Sequence, residues 1–362
     1  MAINRVEIKD FLVFKGEFVV DFCPGLNVLI GGNGTGKTTL LKVLYWACEF
    51  SNKSVLEHNG NLQLNRSAET PYRTNFILAD YFMVIQADNG GNKNFNSTIR
   101  LFSNTISDKY PALEVSVPDS LSSIKLHEIG ENKPKNTAFA QWCKQKVQSV
   151  FIPITEMLQH SKGFLALERE RKIPFDKTQI DILSKAELGE THEITPNASK
   201  LLDGIKSVIM GEVIYESDTF FIVKTDGQKI PFSLEASGFQ KFGLLWKLLR
   251  NGLLESGSVL FWDEPEASIN PELMSVLVDI LLELQRGGVQ VFIATHSEIL
   301  ASYFAVNRKT DNEVMFYSLF KDGEQIRYDK SDRFDLLSPN TLTAEQVNLY
   351  EREIEKGLGN GT

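Results

Sequence analysis

Gly31-Gly32-Asn33-Gly34-Thr35-Gly36-Lys37-Thr38 satisfies G-x-x-x-x-G-K-[ST] at every fixed position. Glycines at these points let the backbone curl until successive N–H groups face one concavity, and a helix starting there adds partial positive charge. That chemistry suits a nucleoside triphosphate. Asn33, Gly34, Thr35, Gly36 and Lys37 would line the anion, with Lys37 reaching the β- and γ-phosphates. Thr38 would ligate Mg²⁺, and Thr39 would bond the α-phosphate. Further along, Val259-Leu260-Phe261-Trp262-Asp263-Glu264 is an apolar run closed by two acids. Asp263 is placed to hold the metal and Glu264 to polarise an attacking water, although a strand ending in a helix cap would read similarly in isolation. A second apolar run, Val289 to Ala294, ends in Thr295-His296-Ser297, which puts His296 where ligands of open α/β sheets collect. Ser237-Gly238 precedes the apolar segment Leu244 to Leu249. Free N–H groups and a hydroxyl converge at such a helix start, giving either a second anion site or a plain cap.

These groups need elements to hold them. Leu26 to Ile30 reads as a buried strand and Leu40 to Tyr45 as the opening of a helix that runs to about Phe50. Residues 3–9 and 17–22 predict a hairpin around Lys15-Gly16. Residues 51–75, rich in Asn and Ser, predict a loop. Strand-like runs at 76–87, 97–103 and 113–117 predict an antiparallel β-layer, with a turn at 88–92. Residues 137–149 read as an amphipathic helix, and Val150-Phe151-Ile152-Pro153 as a buried strand stopped by proline. Broken helical periodicity over 156–210 predicts a small helical lobe, and 211–232 a β-meander turning at Thr225-Asp226-Gly227. A hairpin over 313–328 and a helix over 344–356 close the chain.

The composition of all 362 residues, 42% apolar and 23% charged, is ordinary for a soluble globular protein. No apolar run approaches the ~20 residues of a membrane span, so no membrane role is expected. Cys23, Cys48 and Cys143 are far apart and form no C-x-x-C, which predicts reduced thiols and a cytoplasmic setting. A net charge of −9 argues against unspecific coating of nucleic acid. Lys133, Lys135, Lys144 and Lys146 could still form a local basic face, which keeps DNA open as a partner.

In this order the phosphate loop, Asp263-Glu264-Pro265-Glu266, Thr295-His296-Ser297 and Ala236-Ser237-Gly238-Phe239-Gln240 resemble the ABC-type ATPases. The resemblance is to the RecF/SMC-like branch, and within it to small stand-alone proteins similar to the ATPase half of the OLD family. Ile8-Lys9-Asp10-Phe11 and Phe22-Cys23-Pro24-Gly25 extend the likeness over most of the chain. It implies an α/β P-loop NTPase head carrying the antiparallel β-layer and the helical lobe. The core would be split between residues 1–155 and 233–362, with 156–232 as lobe and hairpin insertion. It also implies an ATPase using ATP and Mg²⁺, with catalytic Lys37, Glu264 and His296, a metal held by Thr38 and Asp263, and a homodimer sandwiching nucleotide between one chain's phosphate loop and the other's Ser237-Gly238. Phe239 stands where such signatures carry a second glycine, and Leu12 where many relatives carry an arginine. No glutamine directly follows Val150 to Pro153. Glu156 takes that metal-facing place, with Gln159 and Gln86 as weaker options, and a plain helix start explains Glu156 nearly as well. With no nuclease half after the Thr-His-Ser strand, a separately encoded effector is expected, such as a nuclease or toxin in bacterial anti-phage defence. A DNA-binding repair clamp is the alternative, and a transporter subunit is disfavoured by Phe239.

Overall fold

A computed structural model describes residues 3–53, 55–58, 61–64, 81–82, 96–104, 106, 110–117, 125–126, 138–170, 175–311 and 313–359. Its centre is β3 (Leu26–Gly31), buried at every position, as a strand covered on both faces is, with its one polar side chain, Asn27, donating to the carbonyls of Cys23, Gly25 and Val291. Parallel to it run β14 (Gln290–Ala294) and, on the other side, β15 (Val314–Asp322). Beyond β14 lie β13 (Val259–Asp263) and β9 (Ser149–Ile152), and β16 (Gln325–Ser331) pairs antiparallel at the opposite edge. The order β16-β15-β3-β14-β13-β9 brings the C-terminal ends of three strands to one edge of the sheet. There Asp263 pairs with Ala294, and Ala294 with Leu29. Ligands of open parallel sheets collect at such an edge.

An antiparallel sheet, β2 (Phe14–Asp21), β1 (Ile3–Phe11), β6 (Ser97–Ser103), β7 (Leu113–Val117) and β8 (Lys125–Leu126), forms a second layer. Helix α1 (Lys37–Lys53) is apolar almost all round because it shares one core with both sheets. Leu40, Leu44, Trp46 and Phe50 join Val6, Ile8 and Ile99 of the antiparallel layer and Phe151, Phe261 and Phe292 of the parallel one. The alternate side chains, Val28, Ile30, Leu260, Trp262 and Ile293, face a separate core on the other side. That core is built with the helices of the second half of the chain.

Between the layers' strands the chain forms α2 (Ala138–Lys144), α3 (Phe164–Glu170), α4 (Lys177–Ala186) and α5 (Pro196–Ile209). Asp176 and Gln179 make a reciprocal capping box on α4, and Thr195 caps α5 ahead of Pro196. The expected helical lobe and antiparallel layer are therefore present. A row of polar contacts ties the lobe to α1. Lys42 pairs with Asp176 at 2.5 Å, the Tyr45 hydroxyl donates to Asp181 (3.0 Å), and Lys185 reaches Glu49 (2.7 Å). The meander β10 (Gly211–Glu216), β11 (Thr219–Lys224) and β12 (Lys229–Pro231) leads to α6 (Ser237–Arg250). Then come α7 (Met274–Arg286), α8 (Glu298–Asn307) and α9 (Thr341–Gly359).

Local expectations differ at four places. The first hairpin turns at Leu12-Val13, not Lys15-Gly16, because Phe11 pairs with Phe14 and both side chains are buried. Residues 55–58 and 61–64 pair as β4 and β5 instead of forming a loop, and the Asn59-Gly60 step between them is the sequence signal for such a hairpin. Tyr81 and Phe82 are helical where a strand is expected, and the rest of 76–87, with Gln86 and the turn at 88–92, lies outside the described residues. Tyr81 is fully buried, and aromatic content alone does not separate helix from strand. The helix expected over 137–149 stops at Lys144, since Ser149 is claimed by pairing with Val259. Lys144 and Lys146 are exposed, while Lys133 and Lys135 lie outside the described residues. All three cysteines are free and buried; burial pushes the Cys23 thiol up to about 11 and the Cys143 thiol up to about 12.

Candidate functional site

The phosphate loop sits between β3 and α1. Gly31, Gly34 and Gly36 take φ values of 142°, 72° and 89°, a backbone path that L side chains rarely follow. Asn33 and Gly34 are exposed at its tip, and Thr38 and Thr39 are half-buried at the start of α1. The β1–β2 turn lies on the loop: a Cβ at Gly36 would stand 2.7 Å from Phe14 Cζ and 2.8 Å from Val13 Cγ2. Leu12 thus belongs to the turn that packs on the loop. The Lys37 ammonium donates to the carbonyls of Gly31 (2.8 Å) and Gly32 (3.1 Å), and the Thr35 hydroxyl donates to Gly32 O (2.9 Å). Burial lowers Lys37 to about 8, against the pull of Asp263, Glu264 and Glu266.

Across the strand ends, the Thr38 hydroxyl lies 2.8 Å and 3.1 Å from the two Asp263 carboxylate oxygens. These residues are 225 positions apart in sequence and adjacent here. Burial pushes Asp263 up to about 6, so its carboxylate is short of positive charge. Among the described residues no three His, Cys, Asp or Glu side chains converge as a metal cage. A cation held by Thr38 and Asp263 would need phosphate oxygens to complete its shell.

Glu264 leaves β13 in the left-handed region at φ 47°, with its N–H bonded to Ala294 O (2.8 Å). A non-glycine residue in this conformation costs of order 1–3 kcal/mol and is held by its surroundings. The turn aims the carboxylate at His296, whose Nε2 lies 3.7 Å from Glu264 Oε1. Burial and the nearby Lys37 ammonium keep His296 below its ordinary range, so the imidazole is neutral at pH 7. Glu266 is a residue that sequence reasoning missed. Its Oε1 accepts from the Thr295 hydroxyl (2.7 Å) and the His296 N–H (2.9 Å), fixing the backbone of the Thr-His-Ser turn. Its other oxygen is buried with no hydrogen bond in the described structure.

Ser237 opens α6 exposed, and the helix start has no side-chain cap. Gly238 has room for a Cβ, which would meet only ordinary contacts at 3.6 Å and beyond. Lys241, on the same helix, is 1% exposed. It donates to the carbonyls of Glu264 (3.2 Å) and Pro265 (3.3 Å) and lies 3.6 Å from Glu156 Oε1. The structure therefore carries Glu156 to Lys241 in the opening helix of Ser237-Gly238. Burial lifts the Glu156 carboxyl to about 7, with Lys241 drawing it back. Gln159 stands beside it and bonds the Glu156 carbonyl (3.2 Å). Nothing in the sequence marks Lys241, because lysine on a helix is ordinarily solvated. Lys241→Met should leave Glu156 and two carbonyls buried without their cation and lower stability by about 3 kcal/mol. Glu156→Gln in the same chain should recover most of that loss in urea denaturation; equal stability of Lys241→Met and wild type would remove the pairing.

Residues 100–302 match the family described as "AAA domain, putative AbiEii toxin, Type IV TA system". The chain belongs to this family. The match reaches from within β6 past Asp263, Glu264 and His296, and the phosphate loop precedes it. The chain also aligns over 64 residues, at 33% identity, with a structural maintenance of chromosomes protein 3 homolog of Plasmodium falciparum (17% of this chain, 5% of that one). Over 74 residues it is 35% identical to the arginine transport ATP-binding protein ArtP of Haemophilus influenzae (20% and 29%). It thus spans less than a third of the length of either relative. Among solved structures, an SMC head bound to the C-winged helix domain of ScpA superposes with a TM-score of 0.51. The sequence identity there is 11%, covering 91% of this chain and 98% of that one, and establishes shared fold. The family match and this superposition together give the chain an AAA domain on a fold shared with an SMC head.

Proposed function

We propose that this ATPase is a switch whose hydrolytic site is completed by a second copy of the chain. Lys37 and the loop from Asn33 to Thr39 hold ATP, Thr38 and Asp263 hold its Mg²⁺, and Glu264 takes the proton of the attacking water. His296, neutral, bonds the γ-phosphate or that water. The bound cation supplies charge that offsets the transferring phosphoryl group. Residues 1–155 and 233–362 act as the ATPase core, and 156–232 as the lobe and insertion between its halves.

The observation that carries the dimer is Ser237, exposed at a helix start that has no side-chain cap, next to a buried Gly238. Free N–H groups and a hydroxyl at such a start suit a phosphate held by a second copy. Through Lys241, contact at Ser237-Gly238 bears on the backbone of Glu264, so the partner's nucleotide biases this chain's catalytic turn. A separately encoded effector, such as a nuclease or toxin of an anti-phage system, reads the resulting dimer. The matching family, described as a "putative AbiEii toxin" of a "Type IV TA system", supports a place in a multi-component system of this kind. No described helix is long and apolar enough to cross a membrane.

Light scattering of Glu264→Gln with saturating ATP and Mg²⁺ tests the dimer. The expected mass is twice the chain's 40.8 kDa, reverting to one chain when Ser237→Arg is added. A protein that stays monomeric with ATP bound would overturn the shared site.

A further inference from the structure

Among the described residues, helix α9 is joined to the body at its start. Leu342 packs on the main core, and the Gln346 amide sits against the Glu298 carboxylate at the opening of α8. Beyond that the helix is exposed, with Val347, Tyr350 and Ile354 at 48%, 55% and 61% of their full accessibility. At about 100° per residue these three fall on one stripe. The same geometry puts Glu351 and Glu355 along one flank and Glu353 along the other, and turns Arg352 and Lys356 to the opposite side. Leu349, also exposed, falls on that opposite side, so the stripe of three with its acidic flanks is the larger apolar face, and no described residue covers it.

We propose that α9 is a docking helix for a partner protein with an apolar groove rimmed by lysine or arginine. Charge selects this occupant. A second copy laid along the stripe would set Glu351, Glu353 and Glu355 against their own counterparts, and like charges at helix flanks destabilise pairing. Nucleic acid and anionic lipid are repelled by the same carboxylates. A basic-rimmed groove satisfies both features: Val347, Tyr350 and Ile354 serve as i, i+3, i+7 anchors, and the flanking acids set orientation. The surface lies outside the nucleotide site, so this docking does not require the shared-site reading. Gln346 against Glu298, two residues after His296, places the base of the helix beside the Thr-His-Ser turn.

The test uses the full chain and two synthetic amphipathic peptides with the same apolar stripe, one flanked by lysines and one by glutamates. Fluorescence anisotropy should show the lysine-flanked peptide binding at least about tenfold more tightly, with an affinity that falls as salt screens the flanks. Tyr350→Ser/Ile354→Ser should weaken binding about tenfold or more, as loss of two central anchors does, with ATP turnover unchanged. Glu351→Lys/Glu353→Lys/Glu355→Lys should reverse the preference towards the glutamate-flanked peptide. Equal binding of both peptides, no binding of either, or binding indifferent to the stripe variants would overturn the proposal. Light scattering without nucleotide distinguishes the remaining case: a dimer abolished by Tyr350→Ser/Ile354→Ser would assign the stripe to a second copy. Measurements with and without ATP separate this failure from failure of the nucleotide reading.

Discussion

Replacing Glu264 by glutamine is expected to cut steady-state ATP turnover about a thousandfold while ATP affinity stays within about threefold. Glutamine fills the same volume and keeps one acceptor oxygen, but it has no basicity to offer the attacking water. The geometry isolates that loss. Glu264 is oriented by its backbone, not by its carboxylate: its N–H is held by Ala294 O and its carbonyl by Lys241. The left-handed turn at φ 47° is therefore retained in the variant. The nearest polar partner of the carboxylate is His296 at 3.7 Å, a neutral imidazole that glutamine still faces. Single-turnover kinetics and nucleotide titration check the two halves separately. Turnover near the wild-type rate would move the base elsewhere, and a large loss of affinity would make Glu264 a binding residue.

Gly31→Ala should be the most destructive added methyl among the described glycines. An ideal Cβ there lies 2.2 Å from the Leu319 carbonyl oxygen, a backbone atom of the paired strand β15 that has no rotamer through which to move. The residue also sits at φ 142°, where alanine is strained. Overpacking and strain together cost on the order of 4 kcal/mol, a large part of the 5–15 kcal/mol that holds a typical domain. Gly32→Ala is the control one residue away, with no atom within 4 Å of its Cβ, and should stay within about 0.5 kcal/mol of wild type. Urea denaturation of the two variants measures the contrast; equal stabilities would refute it. The loop motif fixes glycine at 31 and leaves 32 open, and the sheet supplies a physical reason for the difference.

Much of this fold was readable because its signals are local. Leu26 to Ile30 is apolar apart from Asn27 and ends in glycines, a pattern that suits a strand buried on both faces. The same holds for Val259 to Asp263 and Gln290 to Ala294, each closed by polar residues at the same strand end. Turns were less legible. Lys15-Gly16 carries the stronger turn chemistry, but the pairing of Phe11 with Phe14 in the core placed the turn at Leu12-Val13. Local periodicity extends a helix to Ser149, yet Ser149 pairs with Val259 as the start of β9. Pairing energy from distant residues outweighs local preference in such cases.

For the site, spacing and residue type alone named Lys37, Thr38, Asp263, Glu264, His296 and Ser237-Gly238, because phosphate and water chemistry demands those groups at strand ends and helix starts. Their relations came only with tertiary structure. Sheet register put Thr38 within hydrogen-bond reach of Asp263 and turned Glu264 towards His296. Burial moved Asp263 upward and His296 downward from their usual ranges. Lys241, Glu156 and Glu266 gained their roles in the same way. A buried charge acquires meaning from the partner it meets, and for Lys241 those partners are Glu156 and the backbone of Glu264 and Pro265, brought together by folding.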